Sequence, residues 1–178
     1  MMNITEKRIC DAMLDMMEER SFQTVKVAQL AERCGISRST FYVYFDSIYS
    51  VIQKIEDIFF ENLIEEKTHN PAIEESVIMD ALSSVRNNIR AFKILTGPNG
   101  DPSFVARLSN RNKRVLDVLA EKQKSQATTL ELQIVNEFTR GGKLSALQWW
   151  AEHENEVSVK DMVQILNKII ISIHGILW

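Results

Sequence analysis

Apolar residues recur at helical spacing along almost the whole chain, and nowhere do apolar and polar positions alternate with the period of two that marks a half-buried strand. The pattern predicts an all-α fold. In the first segment Thr5 is the expected N-cap, Ile4 and Ile9 have the spacing of a hydrophobic staple, and Ile9, Met13 and Met16 line one face until Ser21-Phe22-Gln23 interrupts. A short helix is predicted over 27–34 with Gly35 ending it, and Ser37 can cap a further one running to 44. A long helix over 46–67 carries Ile48, Val51, Ile52, Ile55, Ile58, Phe59 and Leu63 until Asn70-Pro71 breaks it. Ile73 to Leu95 read as one helix ending at Gly97-Pro98; Asn99-Gly100 is a turn, after which Asp101 caps and Pro102 begins another helix. The polar stretch 121–128 reads as a loop or helix end. A helix over 130–150 follows, and Ser158 with Asp161 forms a variant capping box that opens a last helix bearing Met162, Ile165, Leu166, Ile169, Ile173 and Ile176.

Composition narrows the class. With 178 residues, 45% hydrophobic and 25% charged, the chain suits a folded globular protein that buries roughly two thirds of its unfolded surface. Cys10 and Cys34 cannot make a disulfide framework, and the opening residues show no apolar leader with a cleavage site, so a cytoplasmic address is expected. The longest apolar run, 169–178, falls far short of the roughly 20 residues of a membrane span and reads as a buried helix. Cys34, a small apolar residue beside Gly35, reads as packing rather than as a redox sensor. His69, His153 and His174 lie far apart with no paired ligand spacing, so no metal is expected. Gly97-Pro98-Asn99-Gly100 lacks the Lys-Ser/Thr of a phosphate loop, and no nucleophile, base and orienting group cluster in any segment. Neither an enzyme nor a cofactor site is expected.

The net charge of −3 excludes a protein that coats nucleic acid indiscriminately, yet between 24 and 45 Lys26, Arg33 and Arg38 outweigh Glu32. That segment, from Val27 to Phe45, reads as a helix-turn-helix. Ala31 is small where two helices cross closely, Gly35 can adopt a left-handed turn, Ile36 plugs the space beneath it, and Ser37 lets the next helix start abruptly. Arg38, Ser39, Tyr42 and Val43 then fall on the outward side of the second of these helices, within reach of base edges in a major groove. Arg38 can fork onto guanine O6 and N7. Phe41 and Phe45 belong inside, while Tyr42 and Tyr44 belong outside.

Over residues 4–66 the chain resembles the TetR family of bacterial transcriptional regulators. Val27, Leu30, Ala31, Gly35, Ile36, Ser37, Ser39, Thr40, Phe41, Tyr42, Tyr44 and Phe45 fall on the family's pattern. The resemblance implies that Lys26, the Val27 amide, Thr40 and Tyr44 meet phosphate, and that Arg38 and Ser39 face base edges with Tyr42 and Val43 beside them. Two positions depart from the pattern. Lys26 stands where the family usually has a Ser or Thr cap, so the cap moves to Thr24 or is lost, and Ile48 stands where it usually has a phosphate-binding Lys. Over about 80–170 the chain is similar to the C-terminal domain of TetR-like proteins of the dihydroxyacetone kinase operon regulator type, through Ile94 to Phe104, Phe138 to Leu144 and Trp149-Trp150.

The expected organisation is a helix-turn-helix DNA-binding domain at 1–45, followed at 46–178 by a linker helix and an α-helical ligand or partner and dimerisation domain. The resemblance implies a homodimer on a near-palindromic operator, controlled by a small-molecule effector or a protein partner. The other reading is a regulator-derived adaptor that acts by binding a protein, to which Ile48 lends weight. Phe92, Leu95, Phe104, Leu108, Phe138 and Trp149 are candidate walls of a ligand pocket, all six equally suited to an ordinary core. Gly141, Gly142, Ser145 and Ala146, small residues suited to close helix approach, and Ile165 and Ile169 are the candidate dimer interface.

Overall fold

The computed structural model describes residues 2–62, 74–111 and 128–177. Its elements are α1 (Ile4–Glu19), a 3-10 turn (Phe22–Thr24), α2 (Val27–Arg33), α3 (Arg38–Tyr44), α4 (Ile48–Asn62), α5 (Glu74–Asn87), α6 (Ile89–Thr96), α7 (Pro102–Arg111), α8 (Thr129–Glu152) and α9 (Val159–Leu177). Among the described residues there is no strand, so the all-α expectation holds. The expected continuation of the fourth helix to 67, the break at Asn70-Pro71 and the polar loop over 121–127 lie outside the described residues.

Local chemistry explains most of the boundaries. Asn3, not Thr5, caps α1: its Oδ1 accepts from the Thr5 amide at 2.8 Å, and Glu6 Oε2 accepts from the Asn3 amide at 2.8 Å. A capping box needs its carboxylate three residues past the cap, a spacing that Asn3 and Glu6 have and Thr5 lacks. Ile4 then sits in the first helical turn, 87% exposed, and the expected staple with buried Ile9 is absent. The helix expected over 73–95 is two, broken at Asn88 with φ −121° and ψ 28°. Asn87-Asn88 is a natural place for this, because asparagine side chains compete with the helical backbone for hydrogen bonds. Asp101 starts α7 as expected, accepting from the Ser103 amide at 2.8 Å, and Ser158 Oγ accepts from the Asp161 amide at 3.1 Å to start α9.

The chain forms two compact units, Met1–Leu63 with Asn88–Phe104, and Ile64–Asn87 with Val105–Trp178. In the first, α1 is the central rod. Ile9, Cys10, Ala12, Met13, Leu14, Met16 and Met17 are buried on more than one of its faces because α2, α4 and α6 all pack on it. Beside it Phe59 of α4 lies 6.0 Å from Phe92 of α6 and 5.5 Å from Phe104 of α7 between ring centroids, and all three are almost fully buried. Burial of each such ring contributes about 1.5–3 kcal/mol before the cost of ordering it. In the second unit α9 packs on α5 and α8, and the turn between α8 and α9 is pinned by fully buried Trp150, whose Nε1 donates to the Val157 carbonyl at 2.9 Å.

Geometry requires glycine at positions 35 and 100 among others. Gly35 has φ +63°, which costs other residues about 1–2 kcal/mol. A Cβ at Gly100 would lie 2.2 Å from the Leu95 carbonyl oxygen, a backbone atom that cannot step aside. Urea denaturation is expected to show Gly35→Ala losing about 1–2 kcal/mol and Gly100→Ala losing at least about 2 kcal/mol; a neutral Gly100→Ala would mean that this turn is not fixed against α6.

Candidate nucleic-acid interface

The turn between α2 and α3 is a Schellman motif. The Ile36 amide donates to the Ala31 carbonyl at 3.0 Å and the Gly35 amide to the Glu32 carbonyl at 2.9 Å, so the left-handed glycine closes α2 while its last carbonyls stay paired. Ser37 then caps α3: its Oγ accepts from the Thr40 amide at 3.0 Å and shares hydrogen bonds of 2.8 Å with the Ser39 and Thr40 hydroxyls. Leu30, Ala31 and Phe41 are buried at the crossing of the two helices, with Phe45 closing its lower end 6.1 Å from Phe41.

With Phe41 inside, the opposite face of α3 is turned out. Arg38 and Ser39 are exposed, Tyr42 is 55% exposed and Val43 75%, while Thr40 and Tyr44 are half-buried. Lys26 is exposed at the N-cap position of α2, where the Gln29 side chain accepts from its amide at 3.3 Å, and Val27 is half-buried. Thr24 does not take over as cap: its hydroxyl donates to the Ser21 carbonyl at 2.8 Å within the 3-10 turn. At the start of α4 Ser47 and Ser50 cap each other reciprocally, each hydroxyl accepting from the other's amide at 3.1 Å, and Ile48 is half-buried beside exposed Tyr49. The three segments named by the sequence thus form one helix-turn-helix with a polar, partly aromatic outer face.

Two sets of contacts in the same unit have no local sequence signal. Asp15 of α1 takes Arg90 of α6 on one carboxylate oxygen and Arg33 of α2 on the other, the latter at 3.6 Å. Arg90 Nε also donates to Glu18 at 2.8 Å, and Arg33 reaches Glu19 at 3.8 Å. Arg90 lies more than 70 residues from its partners, a separation that leaves no spacing rule to find them. The hydrogen bond from Arg90, with the nearby Arg33 charge, holds the Asp15 carboxyl below its ordinary value, so its contribution is present above the usual carboxylate range and fades only as pH falls through that lowered value. Asn99, in the turn after α6, donates its Nδ2 to the Met17 carbonyl at 2.9 Å, and its backbone carbonyl accepts from the Phe22 amide at 3.2 Å.

The six candidate pocket residues are divided between the two units. Phe92, Leu95 and Phe104 are packed core of the first unit, and Leu108 is buried in the second. Phe138 and Trp149 are 71% and 54% exposed on α8. Phe59 and Phe60, absent from that set, are the aromatic neighbours of Phe104. Among the described residues no group of His, Cys, Asp and Glu is placed to hold a metal ion, and no helix is long and apolar enough to cross a membrane.

This arrangement defines a helix-turn-helix regulator. The family model described as "Bacterial regulatory proteins, tetR family" matches residues 9–55, and the one described as "Transcriptional regulator C-terminal region" matches residues 74–172. The chain belongs to the TetR family, whose members are DNA-binding regulators and not enzymes. Similar solved structures include MexZ, a repressor responsible for antibiotic resistance in Pseudomonas aeruginosa, at 18% identity and TM-score 0.66, over 95% of this chain and 94% of that one. A tetR-family regulator from Streptomyces coelicolor matches at 17% identity and TM-score 0.65, over 98% and 83%. The dihydroxyacetone kinase operon activator DhaS matches at 16% identity and TM-score 0.58, over 98% and 96%. At these identities the likeness is one of fold. No curated protein is similar enough in sequence to count as a match.

Burial pushes the Cys10 thiol up to about 12 and raises Cys34 as well, against the lowering effect of Arg8 and Arg33. A thiol, not a thiolate, is therefore the resting form of both, and oxidation chemistry needs the thiolate. Labelling with iodoacetamide at pH 7.5, an ordinary assay pH, is expected to be at least about tenfold slower for both cysteines in the folded protein than in urea. Fast labelling of Cys34 in the folded state would reopen a redox role.

Proposed function

We propose that this chain is a homodimeric transcriptional regulator that reads a near-palindromic operator through the outer face of α3. The observation that carries the reading is the division of α3 itself. Phe41 is fully buried while Arg38, Ser39, Tyr42 and Val43 stand outside on a helix whose start is capped by Ser37. Buried aromatics hold such a helix in place, and a polar and aromatic outer face meets base edges and thymine methyls. Arg38 forks onto a guanine; Ser39, Tyr42 and Val43 flank it. Lys26, the Val27 amide, Thr40 and Tyr44 set register on the phosphates, and Ser37 orients the start of the helix.

The second copy is held through α8 and α9. Leu130, Ile134 and Phe138 are 60–71% exposed and recur every four residues; Gly141, Gly142, Ser145 and half-exposed Trp149 continue the same face. On α9 Ile165 and Ile169 are 47% and 48% exposed. A contiguous apolar face of this kind marks an interaction surface. No Cβ at Gly141 or Gly142 would meet another atom of the same chain within 4 Å, so the close approach these glycines allow is by a partner helix. Ala146 is half-buried beside them. A two-fold dimer presents two α3 helices to half-sites one DNA turn, or a multiple of it, apart. Control through the second unit by a small molecule or protein partner completes the proposal.

The test is binding to duplexes that the protein selects from a random pool, measured at two salt concentrations. Arg38→Ala is expected to lose about 1–3 kcal/mol on the selected duplex and to relax preference at one base pair per half-site. Thr40→Ala should weaken selected and random duplexes alike, and a base-specific loss there would mean that α3 lies on DNA in another orientation.

Gly142→Leu fits the monomer and is expected to shift the protein toward a monomer in sedimentation equilibrium without loss of helical signal. An unchanged dimer would place the interface elsewhere.

A further inference from the structure

Residues 89–101, α6 with the turn that follows it, touch the DNA head at two separate places, and both lead to α2. At the entry to α2, the Asn99 side chain donates to the Met17 carbonyl near the end of α1, while the Asn99 backbone carbonyl accepts from the Phe22 amide at the start of the 3-10 turn. That turn closes on itself through the Val25 amide to the Phe22 carbonyl at 3.1 Å, with Phe22 and Val25 buried, and the next residue is Lys26 at the N-cap of α2. At the exit from α2, Arg33 pairs with Asp15, whose second oxygen is held by Arg90. Arg90 lies in the first turn of α6, and Asn99 lies three residues past its end. Directly after Asn99, Gly100 is packed so closely on the Leu95 carbonyl that the turn cannot shift independently of α6, and buried Asp101 fixes its far end through Ser103.

We infer that Asn99 and Arg90 are positioning residues for DNA binding, gripping the two ends of α2 so that its phosphate-facing start and the recognition helix beyond Gly35 are presented in one orientation. The inference rests on the DNA-reading function proposed for α3. Neither residue touches the outer face of α3, so both act through the backbone path into α2 and through the Asp15 carboxylate. The ion pairs are 40–48% exposed on the Asp15, Arg33 and Arg90 side chains, and pairs of that kind add little to overall stability. Their role is to exclude other orientations of a seven-residue helix.

The wild-type full chain and its Arg38→Ala variant are first compared on a duplex selected from a random pool and on a random-sequence duplex. Asn99→Ala and Arg90→Ala are each expected to weaken the selected duplex by about fivefold, and the random duplex by much less, while the melting temperature changes little. Arg90→Lys, which can still reach one carboxylate, should recover most of the loss; Asp15→Asn gives a second way to release Arg33 should Arg90→Ala fail to fold. Hydrogen exchange at the Leu30 and Ala31 amides of α2 should accelerate in the same variants, more than at Met13 of α1. Variants that bind the selected duplex like the wild type, or that lose selected and random binding in proportion to a lowered melting temperature, would reduce these contacts to ordinary stabilisation and overturn the inference. A wild-type protein that selects no duplex would instead overturn the DNA reading, and this inference with it.

Discussion

The α2–α3 crossing over α1 is the constraint on which the rest of the first unit depends. A single left-handed residue, Gly35, turns the chain, and the Ala31 and Glu32 carbonyls accept from the turn rather than being left orphaned in the interior. Leu30, Ala31 and Phe41 fill the angle between the helices without residual exposure worth the name. Because each of these helices has only seven residues, neither would persist alone in water; packing of α2 on α1 and of α3 on α2 is what keeps them helical. The outer face of α3 is thus a by-product of how completely its inner face is buried.

The choice of α1 as the central rod explains its unusual composition. A surface helix needs one apolar stripe, whereas α1 buries residues around most of its girth and uses three methionines to do so. Met side chains adapt to irregular gaps, which suits a helix that meets α2, α4 and α6. Its charged residues are confined to the remaining strip, and there they meet Arg33 and Arg90. The same economy explains the two buried cysteines, which serve as small apolar fillers, with Cys34 Sγ 3.8 Å from the Arg8 carbonyl where α2 meets α1.

The second unit is built on another plan. α9 is buried against α5 and α8 through Met162, Val163 and Leu166, yet Ile165 and Ile169 remain outside, and the long α8 shows an apolar face to solvent along most of its length. A single copy of the chain leaves that area wet. The family of regulators to which the chain belongs supplies the class of function, while the exposed face supplies the argument for a second copy.

How much of this was legible in the chain differs by element. The helix-turn-helix, its Gly35 and Ser37, the inward Phe41 and Phe45 and the outward Tyr42 and Val43 followed from spacing, because turn chemistry and helical periodicity are local and a residue's face is set by its neighbours three and four positions away. The caps at Asp101 and Ser158 are local too, although the box at Asn3 and Glu6 shows that a legible signal can be passed over for a nearby Thr. Only the tertiary structure decided that Asn88 divides one apolar run into two helices, that Phe138 and Trp149 face outward while Phe59 joins Phe92 and Phe104, and that Arg90 and Asn99 reach back to α1. These depend on which helix lies against which. Apolar periodicity says that a face will be covered; it carries no information about the partner that covers it, or about which distant charge will come to lie beside Asp15.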